Sequence, residues 1–446
     1  LDILEKPNLE EIKVRYMRFF LLLSFLGNIY LSSAQTYFPP IVGSAWDTTS
    51  PQDFDWCQPK INDLYSFLDS NDTKAFILMI DGKIVLEKYF DSHTFNTPWY
   101  WASAGKTLTA FMVGMAQQEG FLSIQDTTSI YLGQGWTSCT LEQEDNIKIV
   151  HQLSMTSGLD DSGASGCILP SCLTYVADPN TRWAYHNGPY TLLDSLIEVA
   201  TGITLNDYTT TRVKNQIGMT GSYVQIAENN VFFSNARSMA RFGLLMLNEG
   251  TWNGNHIMTD SQYFNEMINT SQAINESYGY LWWLNGGNSF HLPSSQLEFS
   301  GSIIPNAPDD LYMALGKNGQ FINVVPSQKM VWIRMGNEPT SAPVPYLMNL
   351  QIWDYINDLE CSVGFNEAEK SILKIYPNPT NDRITISSDK VITKLEIIDL
   401  KGRIIETKAL NTKSIDFSIQ TFNDGIYYAK ITFDDGIQVV QKIFID

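Results

Sequence analysis

The sequence predicts an α/β protein of the α+β kind: an antiparallel sheet flanked by helices, an all-helical lobe, and then a small all-β sandwich. Three observations carry this expectation. Apolar strands stand near both ends of the first 365 residues, with a long helical and loop-rich insert between them. An amphipathic helix over Met348, Ile352, Tyr355, Ile356 and Leu359 closes that region. After about residue 365 the texture turns to short alternating strands. The implied boundaries are 1–34 for an upstream segment and signal peptide, 35–365 for the main domain and 366–446 for the β-sandwich. Sheet and lobe would meet at the site.

The elements follow in order. Met17-Arg18, the apolar run Phe19 to Leu31 and the small residues Ser32-Ser33-Ala34 read as a secretory signal peptide. Residues 1–16 are charged and would be upstream sequence that is not made, or an extended n-region of the signal. Ile61, Leu64 and Leu68 mark a short helix. Ala75–Ile80 and Ile84–Tyr89 flank Asp81-Gly82, a two-residue hairpin signal. A helix follows from about Ser103 to Gly120, with Leu108, Phe111, Met112, Met115 and Ala116 on one face. The insert spans roughly 125–300. Residues 311–316, Phe321–Val325 and Met330–Met335 return as strands. In the tail the expected strands are Arg383–Ser387, Lys394–Asp399, Arg403–Thr407, Ile415–Ile419, Ile426–Phe433 and Gln438–Phe444, with Lys401-Gly402, Asp424-Gly425 and Asp435-Gly436 as turns.

Composition narrows the chemistry. A net charge of −19 over 446 residues argues against a nucleic-acid backbone or an anionic membrane surface as partner. The acid lies in the main domain, since the tail is near neutral. The five cysteines and five histidines form no CxxC or zinc-like cluster, so no metal or organic cofactor is implied. Cys167 and Cys172 flank a short loop and suit a disulfide in an oxidising compartment. Cys57 and Cys361 suit a second, which leaves Cys139 as the odd thiol. The alternative is five buried free thiols.

Trp101-Ala-Ser103-Ala-Gly-Lys106-Thr107 is the informative stretch. Residues three apart on a helix share a face, so the Lys106 amine can reach the Ser103 hydroxyl. A serine is a poor nucleophile until a neighbouring base takes its proton, and a desolvated lysine can be that base. Alone the spacing is weak, because Ser371…Lys374 and Ser387…Lys390 share it. The pair also fits a capping serine beside a solvated lysine. Four further blocks stand in order behind it: Ser157-Gly158-Leu159, Trp183-Ala-Tyr185-His-Asn187, Ala240-Arg-Phe-Gly243 and Gly316-Lys-Asn-Gly319-Gln320.

With these blocks, residues of about 40–360 resemble the serine β-lactamase-related family of class C β-lactamases, DD-peptidases and related esterases and amidases. The likeness is to the branch that holds 6-aminohexanoate-oligomer hydrolase. The resemblance implies a β-lactamase/transpeptidase-like fold and a set of roles. Ser103 would form an acyl-enzyme. Lys106 and Tyr185 would share general-base duty, and Asn187 would orient Lys106 or the substrate amide. Backbone N–H groups of Ser103 and of a residue near Gly316 and Lys317 would bind the oxyanion. The family's third motif, Lys-Thr-Gly or His-x-Gly, has two registers here: Ala314-Leu315-Gly316, without a cation, or Lys317-Asn318-Gly319. The first is preferred, which favours an esterase or amidase over an efficient β-lactamase. Lys317 would then give a backbone N–H, and its side chain could meet an anionic substrate group. His186 is expected to point away from the site, Asp160-Asp161 to be a solvated loop, and Trp282-Trp283 to be core.

Tyr376-Pro-Asn-Pro379, the strand spacing, Asp424-Gly425-Ile-Tyr-Tyr and the terminal Val-Val-Gln-Lys-Ile resemble the C-terminal sorting domain of type IX secretion. The alternative is an accessory module such as a carbohydrate binder. The expectation is an exported serine hydrolase, secreted or at the cell surface by way of the periplasm. Its partners would be a small or peptide-like ester or amide and the secretion machinery, with no nucleic acid and no transmembrane span. The alternative function is a penicillin-binding or other ligand-binding protein on the same fold, with little turnover.

Overall fold

The computed structural model describes residues 36–163, 166–337, 344–361, 373–399, 403–434, 436 and 438–445. The signal-peptide expectation therefore falls outside the described residues. The chain divides into two compact units, Leu1–Leu359 and Glu360–Asp446.

The first unit is built on a six-stranded antiparallel sheet. Helix α1 (Gln58–Ser70) leads into the hairpin of β1 (Thr73–Ile80) and β2 (Lys83–Tyr89), which turns at Asp81-Gly82. Helices α2 (Lys106–Gln118), α3 (Asn187–Thr201) and α4 (Ala236–Leu247) follow within a long excursion. The chain returns to the sheet as β3 (Trp283–Leu284), β4 (Tyr312–Gly316), β5 (Gln320–Val325) and β6 (Met330–Gly336), and closes with α5 (Tyr346–Asn357). The strand order is β2-β1-β6-β5-β4-β3, so the first hairpin pairs with the last strand through Phe76↔Arg334 and Ile77↔Ile333. β4 and β5 are buried along their whole length, as fits strands covered on both faces.

The excursion is helical and loop-rich, as expected, and it also carries small sheets. One has three strands, Trp99–Tyr100, Asn229–Ser234 and Ser222–Ile226. Gly243 in the Ala-Arg-Phe-Gly block explains how α4 sits so near the sheet. A Cβ there would stand 2.6 Å from Val331 Cγ1 and 3.1 Å from Ile322 Cγ2, on β6 and β5. Its neighbour Phe242 packs on Trp101, Phe111 and Trp282. Trp282 and Trp283 are both buried.

Cys167 and Cys172 form a disulfide. Cys57 and Cys361 are disulfide-bonded as well, and Cys139 is a free thiol.

Arg334 on β6 is fully buried. Its guanidinium donates to the carbonyls of Asn71, Asn318 and Gly319 and to the Thr73 hydroxyl, at 2.6–3.1 Å. It thus ties the β4–β5 turn to the start of β1. Arg334→Met leaves these buried carbonyls without their donor, and we expect a loss of about 3 kcal/mol. The urea midpoint of the full chain checks this, and an unchanged midpoint would count against the tie.

The second unit is all-β. Strands β7 (Leu373–Tyr376), β8 (Arg383–Asp399), β9 (Ile404–Ser418), β10 (Gly425–Phe433) and β11 (Gln438–Ile445) join in one curled sheet, with β9 paired to β8. Two of its strands each cover two of the segments expected from sequence. The breaks expected around 388–393 and 408–414 do not end a strand. The β8–β9 pairing absorbs them as register shifts between Ser387 and Ile392 and between Ile392 and Lys394, opposite Ala409–Ser414 of β9. A bulge bends a strand while pairing resumes beyond it, which polar residues alone do not distinguish from a turn. Ile384, Ile386, Leu395, Ile397, Phe417 and Ile431 fill the apolar side.

Candidate active site

Ser103 lies in a 3₁₀ turn, Ala102–Gly105, that runs directly into α2. The turn is fixed from several sides. The Trp101 N–H donates to the Phe232 carbonyl at 2.8 Å, and its indole donates to Ser234 Oγ at 2.8 Å. Thr107 Oγ1 donates to the Ala104 carbonyl. Ala102 has φ +46°, a left-handed conformation that a non-glycine residue holds only under constraint. The constraint presents the Ser103 side chain, half-buried, at the head of the helix.

Lys106 is 5 % exposed, and its amine donates to Ser103 Oγ at 3.2 Å. The same amine lies 4.1 Å from the Tyr190 ring centroid and 5.3 Å from that of Tyr185. Burial pulls the Lys106 pKa down to about 7, against the opposing field of Asp194. The capping alternative fails on this geometry, since the lysine is enclosed rather than solvated.

Tyr185 enters from the insert. The Ser157-Gly158-Leu159 block holds its segment through backbone bonds. Gly158 accepts from Val176 and Ala177, and its φ of +74° with the Ala177 carbonyl packed against it leaves no room for a side chain. Asn180 and Ala184 donate to Thr156 and Met155. The Tyr185 ring stacks on Trp283 at 5.7 Å and meets Tyr278 edge-on. Burial raises its phenol to about 12, against the smaller opposing pull of the Ser103 hydroxyl. Asn187 follows at the first turn of α3 and lines the same cavity.

Gly316 ends β4 against the serine turn. A Cβ at this position would stand 2.7 Å from the Trp101 carbonyl oxygen and 2.9 Å from the Ala104 nitrogen. Lys317 follows in the β4–β5 turn, exposed, at the rim of the cavity. Gln320 holds the turn by bonding the Gly336 carbonyl and N–H at 2.6 and 3.1 Å. The structure thus brings Ser103, Lys106, Tyr185, Asn187, Gly316 and Lys317 to one place.

The cavity has a volume of about 640 Å³, and two expectations are corrected there. His186 contributes to its wall, because the chain turns from extended segment into helix at this residue and strand alternation no longer applies. Burial keeps its imidazole below the usual pKa. Asp161 is no solvated loop residue. It lines the cavity and takes a 2.5 Å ion pair from Arg182, which returns from the far side of the Cys167–Cys172 loop.

Sequence reasoning missed Tyr190 and Asp194. Asn187, Tyr190 and Asp194 are spaced by three and four along α3, a helical face that could have been read as polar and inward-facing. Asp194 is 1 % exposed, and Thr109 Oγ1 and Asn230 Nδ2 donate to its carboxylate at 3.2 and 3.3 Å. Among the described residues no cluster of ligating side chains could hold a metal ion.

Residues 73–355 match the β-lactamase family. The chain belongs to that family. Residues 374–446 match the secretion system C-terminal sorting domain, so this β-lactamase family member carries an export address and is secreted or displayed at the cell surface. No helix among the described residues is long and apolar enough to cross a membrane. An uncharacterized protein of Alkalihalophilus pseudofirmus is 23% identical over 60% of this chain and 85% of its own. A Bacillus anthracis protein provisionally assigned as a 6-aminohexanoate-dimer hydrolase aligns with TM-score 0.55 and 21% identity over 75% of this chain and 95% of its own. A provisionally assigned β-lactamase of Bacteroides dorei aligns with TM-score 0.55 and 15% identity over 69% of this chain and 100% of its own. These structures establish the fold.

Proposed function

We propose that this β-lactamase family protein is an exported serine hydrolase that cleaves an ester or amide through an acyl-enzyme on Ser103. The observation that carries the reading is the buried Lys106 amine, 3.2 Å from the Ser103 hydroxyl and near its half-protonation point at neutral pH. Unprotonated Lys106 takes the serine proton as Oγ bonds to the substrate carbonyl carbon. The carbonyl electron pair moves onto oxygen. The backbone N–H groups of Ser103 and Lys317 are the donors offered to that oxyanion, because Gly316 lets the strand end press on the serine turn. Tyr185, with its pKa near 12, keeps its proton at neutral pH. Its role is therefore to protonate the leaving oxygen or nitrogen as the bond to carbon breaks, and Lys106 resupplies the phenol. A water then attacks the acyl carbon, gives its proton to the same pair, and Ser103 leaves with a proton restored. Asn187 orients the lysine or the substrate amide. The polar wall of Asp161, Arg182, Lys317 and the loop Pro293-Ser294-Ser295-Gln296 suits a small polar substrate.

The sorting domain supports the type IX secretion machinery as the partner that exports the protein.

The test is reaction with a fluorophosphonate, followed by intact mass. One adduct is expected on the wild type and none on Ser103→Ala. The labelling rate should fall as pH drops through about 7, because Lys106 then becomes protonated and no base remains. Equal labelling of both proteins sinks the reading. A stable penicillin adduct without turnover would instead mark a penicillin-binding protein.

A further inference from the structure

We propose that Asp194 is a positioning residue whose buried carboxylate sets the charge state of Lys106, and with it the pH at which Ser103 becomes reactive. The proposal rests on Lys106 acting as the base.

The geometry is unusual for a carboxylate. Asp194 sits on the buried face of α3 with Leu193, Leu196 and Ile197 and is 1 % exposed. A buried carboxylate is costly unless neighbours compensate it. Here the compensation points toward the active lysine. Thr109, one turn beyond Lys106 on α2, donates to Asp194 and also lies 3.4 Å from the Tyr190 hydroxyl. Tyr190, one turn before Asp194 on α3, gives its ring face to the Lys106 amine. Asn230, from the three-stranded sheet, donates to the other carboxylate oxygen. The remaining titratable neighbours are Tyr223 on the strand beside it, Glu198 one turn on, and Tyr185 and Tyr278 around Tyr190.

Asp194 and Lys106 act on one another. The carboxylate raises the lysine against burial, and the ammonium lowers the carboxylate, which burial pushes up to about 7. The two titrate in each other's field, linked through Thr109, which bonds Asp194 and lies against Tyr190, whose ring faces the amine. Losing the negative charge leaves burial unopposed, so Lys106 should shed its proton at lower pH.

The experiment is the pH profile of Ser103 labelling by a fluorophosphonate, on the full chain, for wild type, Asp194→Asn and Asn230→Ala. Asp194→Asn should move the acid limb down by about one pH unit, the size of shift a nearby opposite charge produces. Asn230→Ala keeps the carboxylate but removes a donor that favours its charged form. Its limb should move the same way by less, and this variant stands in if Asp194→Asn fails to fold. A limb that stays put or rises in the folded variants overturns the proposal, even if the rate at high pH falls, because a structural role changes rate and not limb. Ser103-specific labelling that is intact with an unmoved limb sinks this proposal alone. Labelling that does not depend on Ser103 sinks the hydrolase reading beneath it.

Discussion

Lys106→Met should reduce kcat/KM for an activated ester by about 10³-fold or more, while Ser103 stays in place. General-base assistance accounts for about 10²–10⁴ in rate, and the Ser103 hydroxyl has little nucleophilic power without it. Methionine is similar in length and apolar, so the buried slot between the Tyr185 and Tyr190 rings stays filled. The loss should therefore appear in kcat, with KM and the urea midpoint close to wild type. Removing the amine also removes its desolvation cost, and Asp194, which burial already pushes up to about 7, can answer the lost charge by holding its proton, so the midpoint should change little at or below neutral pH. A Lys106→Met protein that keeps even a tenth of wild-type turnover would show that another group takes the serine proton. Tyr185 would be the group to examine, since it lines the same cavity as Ser103.

Gly316→Ala is the second large effect, expected at about 10²-fold in kcat/KM. One added methyl would sit 2.7 Å from the Trp101 carbonyl oxygen and 2.9 Å from the Ala104 nitrogen. Both are backbone atoms of the turn that carries Ser103, and neither can swing aside as a side chain could. Either β4 backs away from the turn or the turn moves. In both cases the two oxyanion donors part, and losing one such donor costs about 10²–10³ in rate. The Gly316 contact is local, so the melting temperature should fall much less than activity. A variant with activity within twofold of wild type would show that the strand end and the serine turn do not cooperate in catalysis.

How much of this was written in the sequence differs from residue to residue. Ser103 and Lys106 were legible because four further blocks stand in order behind a spacing that is ambiguous by itself. Gly316 was legible once its block was seen to fall between two apolar strands. The strands themselves were plain, since β4, β5 and β6 are apolar runs broken only by Gln320, Asn323 and Arg334. Tyr185 was legible only through the order of blocks, because its approach to Ser103 depends on how residues 155–184 fold back. Asp194 was hidden. An aspartate among leucines reads locally as a turn or a solvated face, and only tertiary packing shows that α2 encloses it. Asp161 and Arg182 were hidden for a related reason: they are 21 residues apart, joined across the disulfide loop. The bends within β8 were missed because bulges leave no mark that separates them from loops.

The buried Arg334 anchorage has a consequence for how this protein ages under heat. The turn that follows Gly316 is moored to the interior of the sheet by Arg334 and Gln320, rather than hung on the surface as a free flap. This edge of the site thus has no loose turn to fail before the sheet does. Warmed gradually, the protein should keep its full activity until the central sheet itself gives way, and then lose everything at once.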